Sequence, residues 1–201
     1  VLLLSFTEMW ERFSYFGMLA ILVLFLTASV ADGGFGWPET EALKLYGLYS
    51  GLAFTVPLIG GWIANNYWGE RRCILVGGIL IASGHACMAA PRVLPALGAA
   101  GFFGGLGLII LGTMLLKPTI SSIVGQFFAQ TDQRRDGAFA LFLVGIYLGE
   151  IAGVFVAGYL GERVAWHWGF AAAGIGMTLG LLVYVSNQDR YLADLGRRPG
   201  G

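Results

Sequence analysis

The sequence predicts an all-α membrane protein, folded as a bundle of six transmembrane helices. Its 201 residues are 57% hydrophobic and only 12% charged, with a mean hydropathy of +0.73, whereas roughly a quarter of the residues of a soluble domain are charged. Apolar runs as long as a membrane-spanning helix, about 20 residues, recur along the chain. These runs are continuous and do not alternate with a period of two, which argues against a β-barrel.

Six apolar segments account for most of the chain. They cover residues 2–29, 41–65, 73–90, 96–128, 139–160 and 170–186. The first and fourth segments are longer than a span requires, which indicates tilt or extension beyond the bilayer. Short connections rich in Gly, Pro and charged residues separate the segments, as is typical of turns. We therefore expect one six-helix bundle at residues 1–188, followed by a polar cytoplasmic tail or linker at residues 189–201.

The distribution of Lys and Arg predicts the orientation of this bundle. Seven of these residues fall on one side and three on the other: Arg71, Arg72, Arg134, Arg135, Arg190, Arg197 and Arg198 against Lys44, Arg92 and Arg163. The richer side is expected to be cytoplasmic, which places both ends of this chain in the cytoplasm and the protein in the cell (inner) membrane. No cleavable signal peptide is evident, so the first segment is expected to remain a helix. A formal net charge of zero argues against a nucleic-acid partner.

Five charged residues remain inside the predicted spans when the charges of the loops, the tail and the start of the second segment are set aside. They are Glu8, Glu11, Arg12, Lys117 and Glu150. A charge within the membrane costs a few kcal/mol, so such residues normally face a protein interior or a water-filled cavity. If all five share one cavity, three carboxylates and two cations leave one carboxylate without a partner, which favours its protonated form. The cluster is therefore a candidate proton-binding site.

The first three charges lie on one face of the first helix. Glu8, Glu11, Arg12 and Tyr15 are spaced three or four residues apart, as neighbours along a helical stripe are. Arg12 can bind a carboxylate with two hydrogen bonds, and the Tyr15 hydroxyl can donate or accept one. In the alternative interpretation, residues 6–12 lie at the membrane interface, with solvated acids and a Trp10 anchor.

Lys117 lies well inside the fourth segment. Pro118 follows it, and a proline removes a backbone donor and can bend the helix at this point. A buried lysine can exchange a proton with a nearby acid. The alternative is a lysine whose side chain snorkels to the interface.

Glu150 lies in the fifth segment, with Tyr147 one turn before it. A stripe of glycines suited to close helix packing runs beside it, at Gly145, Gly149 and Gly153. Glu150 either belongs to the cavity or is a protonated carboxyl that is hydrogen-bonded to a neighbouring helix.

The remaining polar residues indicate neither an enzyme nor a metal site. His85 is expected to be a packing or hydrogen-bonded residue, and His167 part of an interfacial aromatic belt. The two histidines have no metal-ligand spacing, and the sequence contains no G-x-S-x-G or H-E-x-x-H motif. We expect no cofactor, with protons as the coupling ion.

Four stretches resemble the proton-dependent oligopeptide transporter (POT/PTR) family of the major facilitator superfamily. EMWERFSYFG at residues 8–17 is similar to the family motif E-x-x-E-R-F-x-Y-Y-G, and three further stretches agree in order and spacing: PLIGGWIANNYWGERR (57–72), KPTISSIVGQFF (117–128) and WHWGFAAAGIGM (166–177). The resemblance implies the N-terminal six-helix half of a larger fold, built from two inverted three-helix repeats. It also implies a partner bundle of six C-terminal helices that is missing from this chain, with membrane lipid around both.

The resemblance implies roles for three groups of residues. The proton-coupling group comprises Glu8, Glu11, Arg12 and Lys117. The substrate pocket comprises Tyr15, Leu19, Phe54, Lys117, Tyr147 and Glu150. A cytoplasmic motif that helps to lock transport conformations comprises Gly61, Asn65, Gly69, Arg71 and Arg72.

Six residues depart from the family pattern: Phe16, Leu19, Phe54, Asn65, Tyr147 and Glu150. Leu19 stands where an Arg commonly binds the substrate carboxylate, and Glu150 adds a negative charge where a small residue is usual. The resemblance implies a proton-coupled symporter for di- or tripeptides or peptide-like molecules. The departures indicate an altered pocket, in which the Glu150 charge can attract a cationic or amine-bearing substrate. The alternative is a non-transporting six-helix membrane domain with a structural or partner-binding role.

Overall fold

The computed structural model describes residues 1–90, 98–128 and 133–197, which form helices and turns without strands. In this part of the chain the α-helices are α1 (Leu2–Thr27), α2 (Glu39–Thr55), α3 (Pro57–Ile63), α4 (Glu70–Ala89), α5 (Gly98–Gln126), α6 (Arg134–Tyr159) and α7 (Trp166–Leu192). A 3-10 turn at Val30–Asp32 and π-turns at Ala64–Trp68 and Leu160–Val164 accompany them. Six helical segments of the described chain are long and apolar enough to span a membrane, and α2, α3 and the first π-turn form one of them. The predicted all-α fold with six spans is confirmed.

Pro57 divides the second span into α2 and α3. A proline has no backbone N–H and a fixed φ, so it interrupts one helix but suits the first position of the next. Val56 forms the turn between the two helices, and α3 begins at Pro57. The span ends before Gly69, whose φ of +76° favours glycine and lets the chain turn directly into α4.

Several helices extend beyond the predicted apolar segments. α4 begins at Glu70, and α7 runs from Trp166 to Leu192, so the gaps predicted at residues 66–72 and 161–169 are largely helical. The length of an apolar run reports only the part of a helix that lies in the hydrocarbon core of the membrane. Charged and aromatic residues can continue the same helix into the interface. The turn predicted at residues 91–95, with Arg92, lies outside the described residues, as does Arg198.

The six spans pack in a pattern that repeats after three. α1 packs against α6 and α7, α5 packs against α3 and α4, and α4 and α7 contact each other. If the first, second and third spans are exchanged with the fourth, fifth and sixth, respectively, the same set of contacts results. Because three spans carry the chain to the opposite membrane surface, the second set begins on the other side, as expected for two inverted three-helix repeats.

The glycine stripe on α6 packs directly against α1. A Cβ atom on Gly149 would lie 2.1 Å from the Met9 carbonyl oxygen and 3.1 Å from the Arg12 Cβ, and Gly145 and Gly153 meet α1 one turn away on either side. A side chain at these positions would hold the helices apart. The stripe therefore presses α6 against the charged turn of α1.

Candidate functional site

The three charged side chains of α1 are enclosed by the bundle. Glu8, Glu11 and Arg12 have exposed fractions of 4%, 0% and 5%. Burial of both acids excludes the interpretation in which they are solvated at the membrane interface. A buried carboxylate needs a cation or hydrogen-bond donors to offset the loss of water, and Arg12 supplies both.

Arg12 is shared by the two carboxylates. Its Nε lies 3.3 Å from Glu8 Oε1, one helical turn away, and also donates to Glu11 Oε2. Its Nη2 forms a second ion-pair contact with Glu11 Oε2 but lacks hydrogen-bonding geometry there. Glu8 Oε2 and Glu11 Oε1 are buried and have no hydrogen-bond donor among the described residues. One guanidinium thus serves two carboxylates, and each carboxylate keeps an oxygen on which a proton can bind.

Aromatic rings cover the guanidinium group. The Arg12 Cζ lies 5.4 Å from the centroid of the Tyr15 ring and 5.9 Å from that of Phe16. Both distances allow a cation–π interaction. Phe16 therefore contributes a ring face even though it lacks the hydroxyl of a tyrosine.

Tyr49 of α2 also belongs to this site, although the sequence did not indicate it. Its ring stacks on that of Tyr15, with centroids 6.2 Å apart and an interplanar angle of 19°. Tyr49 is 2% exposed, and its hydroxyl has no hydrogen-bond partner among the described residues. Because Tyr49 lies within an apolar run, only its hydroxyl group could have marked it in the sequence as a residue of the site.

Lys117 completes the cationic part of the site. It is half-buried in the middle of α5, and its Nζ lies 4.4 Å from the centroid of the Phe54 ring. Glu8, Glu11, Arg12 and Glu150 lie within electrostatic range of the ammonium group. No hydrogen bond or ion pair joins Lys117 to another residue in the described part of the chain. The ammonium faces the ring of a neighbouring span, which does not fit a lysine that snorkels to an interface.

The backbone beside Lys117 is held by α3. Pro118 cannot donate to the Met114 carbonyl, so this oxygen lacks its helical partner. A Cβ atom on Gly60 would lie 1.7 Å from the Met114 oxygen, so only a glycine lets α3 approach so closely. Gly61, a predicted motif residue, lies beside Pro118, with 3.6 Å between its Cβ position and the Pro118 Cβ.

The other predicted pocket residues lie around this centre with different exposures. Glu150 is half-buried, and Phe54 and Tyr147 are 70% and 59% exposed. Leu19 is partly buried against the apolar core and adds no polar group to the site. The structure thus brings Lys117 and Phe54 into contact, and leaves Leu19 as a packing residue.

At the end of the bundle where α4 begins, Arg71 binds the chain segment that follows α7. Its Nε donates to the Leu195 carbonyl over 2.8 Å, its Nη1 to Asp189 Oδ1 over 3.0 Å, and its Nη2 to the Ala193 carbonyl. Ala193 has a φ of +47°, which residues other than glycine rarely adopt. Arg71 therefore donates to carbonyls of the segment after α7 and holds a strained turn. Its motif neighbours Asn65 and Arg72 are exposed.

Glu70 ties the same end of α4 to α5. Its Oε1 accepts hydrogen bonds from Ser122 Oγ over 2.9 Å and from Gln126 Nε2 over 2.6 Å. A carboxylate in the first turn of a helix is also favoured by the helix dipole. In the sequence, Glu70 could have been recognised as an acidic residue at the start of a helix. No sequence pattern indicated that Ser122 and Gln126 would be its partners.

Replacing Arg71 with alanine is expected to release the segment after α7. The loss of charge-assisted hydrogen bonds costs about 1.5–3 kcal/mol each and leaves carbonyl oxygens unpaired. Backbone amides of residues 190–197 should then exchange hydrogen for deuterium faster, as measured by mass spectrometry of the full-length protein. Arg72→Ala, which removes an exposed charge next to it, is the control, and equal exchange in both variants would contradict the proposed hold.

His85 lies in the interior without polar contacts. It is 0% exposed, and neither ring nitrogen has a hydrogen-bond partner among the described residues. Of the two predicted alternatives, packing rather than hydrogen bonding describes it. Within residues 1–90, 98–128 and 133–197, no group of three or more His, Cys, Asp or Glu side chains is placed to hold a metal ion.

Comparisons with known proteins agree with this geometry. A family model described as PTR2, the POT family, matches residues 71–194. The chain is 42% identical over 195 residues to a di-/tripeptide transporter of Lactococcus lactis subsp. cremoris, and 41% identical over 197 residues to the peptide transporter YePEPT of Yersinia enterocolitica subsp. palearctica. Each alignment covers 96% of this chain and 38% of the relative.

Among solved structures, a mutant of the peptide transporter POT in complex with alafosfalin superposes with a TM-score of 0.92 at 42% identity. The match covers 98% of this chain and 39% of that one. The chain therefore spans about two fifths of the length of the proteins that it matches.

Proposed function

Because this chain belongs to the POT family, we propose that it forms the N-terminal six-helix part of a proton-coupled symporter for di- or tripeptides or peptide-like molecules. Its relatives are named as transporters rather than enzymes. One observation carries the proposal: a buried guanidinium is shared by two carboxylates that each keep a free oxygen. The non-transporting alternative is not favoured, since a buried, incompletely neutralised charge cluster is costly in a purely structural domain.

Proton binding would change the charge balance of the cluster. A proton that adds to the free oxygen of Glu8 or Glu11 removes one negative charge, and Arg12 then pairs with the remaining carboxylate. The attraction that these acids exert on Lys117 falls at the same time. The Lys117 ammonium is then available for an anionic group of the substrate, such as the carboxylate of a peptide. Proton and substrate together would shift the balance between the two access states.

A second six-helix bundle is the expected partner. The relatives are more than twice as long as this chain, which covers 38% of their length. The second span (α2 and α3) and α6 expose large apolar and aromatic side chains, including Phe54, Leu58, Tyr147 and Phe155 at 59–81%. We infer that these two faces meet lipid and the second bundle, with the substrate bound between the halves near Lys117.

Uptake by the full-length protein tests the proposal. In proteoliposomes, labelled Ala-Ala should accumulate above its external concentration only under an inward proton gradient, and an uncoupler should abolish the accumulation. Equal uptake with and without the gradient would contradict proton coupling. Failure to take up any di- or tripeptide would contradict the substrate class.

In the proposed orientation the protein lies in the inner membrane of the cell, and the start of α4 is on the cytoplasmic side. In a background with Cys73 and Cys87 changed to alanine, Arg72→Cys should react with an impermeant maleimide only after the cells are opened. Lys44→Cys should react in intact cells, since both positions are exposed but lie on opposite sides. The reverse labelling pattern would contradict the orientation.

A further inference from the structure

Lys117 and Glu150 carry opposite charges within electrostatic range of each other. Both side chains are half-buried. Neither forms an ion pair or hydrogen bond with another residue in the described part of the chain. The two charges are therefore close enough to influence each other and remain open to an added molecule.

The packing of α6 sets the level of Glu150 in the bundle. The adjacent Gly149 lies against Met9 and Arg12, so Glu150 is at the level of the charged turn of α1. Val144 and Leu148 lie on the flank of α6 that forms an apolar cavity with α1 and α7. Tyr147 and Glu150 are three residues apart and do not line this cavity, and Glu150 is within electrostatic range of the Lys117 ammonium.

A carboxylate beside an open ammonium group affects which ligands can bind there. The Lys117 ammonium attracts an anion, but the Glu150 charge repels the same anion. A ligand that carries a cation close to its carboxylate is attracted by both Lys117 and Glu150. The pair of charges therefore favours such a ligand over one that carries a carboxylate alone.

We propose that Lys117 and Glu150 form a subsite for a peptide whose C-terminal residue is basic. The Lys117 ammonium binds the terminal carboxylate, and the Glu150 carboxylate binds the cationic side chain of the same residue. The Phe54 ring lies against the Lys117 ammonium, and Tyr147 precedes Glu150 by three residues. Both rings are exposed and offer apolar surface to the methylene stem of that side chain. This inference rests on the proposed function and adds the class of substrate.

Competition between matched dipeptides tests the subsite in the full-length transporter. Ala-Lys and Ala-norleucine have side chains of similar length and differ in the terminal ammonium. Ala-Lys should inhibit the uptake of labelled Ala-Ala at roughly one tenth of the concentration that Ala-norleucine requires, as expected for one partly desolvated, charge-assisted contact.

In Glu150→Gln the two inhibitory concentrations should become nearly equal, because Ala-Lys loses its partner and Ala-norleucine no longer meets the repelling charge. Glu150→Asp should keep part of the preference, and Glu162→Gln, an exposed acid just beyond α6, should keep all of it. Lys-Ala, with the same charge on the first residue, should show no dependence on Glu150.

Two outcomes overturn the inference. Dipeptide uptake without a preference that depends on Glu150 contradicts the subsite but leaves the proposed function intact. Absence of any dipeptide uptake by the wild-type protein contradicts both.

Discussion

Replacing Glu11 with glutamine is expected to reduce proton-driven peptide uptake by the full-length transporter to the level of empty liposomes. Glutamine keeps the shape of the side chain but is permanently neutral, like a protonated glutamate. Glu11 is fully buried, and its Oε1 is free to accept a proton. A variant that cannot bind and release this proton should still exchange substrate across the membrane, so counterflow of labelled against unlabelled peptide should persist.

The control for this variant is Glu41→Gln. Glu41 also pairs with a cation, Lys44, over 2.7 Å, but its side chain is 53% exposed and the pair contributes little in water. Gradient-driven uptake should therefore be normal in this control. Undiminished uptake in Glu11→Gln would remove Glu11 from the coupling mechanism, and loss of counterflow as well would indicate a folding or binding defect instead.

Replacing Gly60 with alanine is expected to separate α3 from α5 and destabilise the protein by about 1–3 kcal/mol, the usual cost of overpacking. The new Cβ would lie 1.7 Å from the Met114 carbonyl oxygen, a backbone atom that cannot turn away. Thermal unfolding of the full-length protein in detergent should show a lower midpoint than that of the wild type. Uptake should also fall, because the displaced segment supports the turn that carries Lys117.

Gly51→Ala provides a control with the opposite sign. It lies in α2, and no atom is found within 4 Å of its Cβ position. Alanine is favoured over glycine in a helix by about 0.5–1 kcal/mol, so this change should preserve or raise the midpoint. Equal shifts for the two variants would show that the close approach at Gly60 does not matter for stability.

The fold was predictable because its causes are local in the sequence. Long apolar runs specify spans whatever their neighbours, and the spacing of Glu8, Glu11 and Arg12 places them on one face of any helix that they form. The ends of the helices were less predictable. Trp166 and Leu192 bound α7 because an interfacial residue can continue a helix that the hydrocarbon no longer requires.

Long-range partners were beyond prediction for a physical reason. Arg71 binds carbonyl groups of residues more than a hundred positions away, and every residue has such a group, so no side chain marks them. The Tyr49 hydroxyl and the unpaired nitrogens of His85 are likewise consequences of packing. In contrast, the glycine stripe beside Glu150 was visible in the sequence, because close helix contact restricts the residue type at a fixed spacing.

The two close backbone contacts of the site are counterparts of each other. α1 in the first repeat corresponds to α5 in the second, and α6 corresponds to the span that contains α3. Gly149 of α6 meets the Met9 carbonyl of α1, and Gly60 of α3 meets the Met114 carbonyl of α5. Each repeat thus offers a glycine to the same kind of methionine carbonyl in the other.

Arg12 follows Met9 by three residues, and Lys117 follows Met114 by three. The two cations therefore occupy equivalent positions in the two repeats. In the first repeat, neighbouring acids hold the cation; in the second, the cation is left open. The same position in the two repeats thus carries a cation that is paired with acids, Arg12, and a cation that can bind a ligand, Lys117. The difference arises because Glu8 and Glu11 are present on α1. On the proposed cycle this division of labour separates proton binding from substrate binding while keeping both within one electrostatic field.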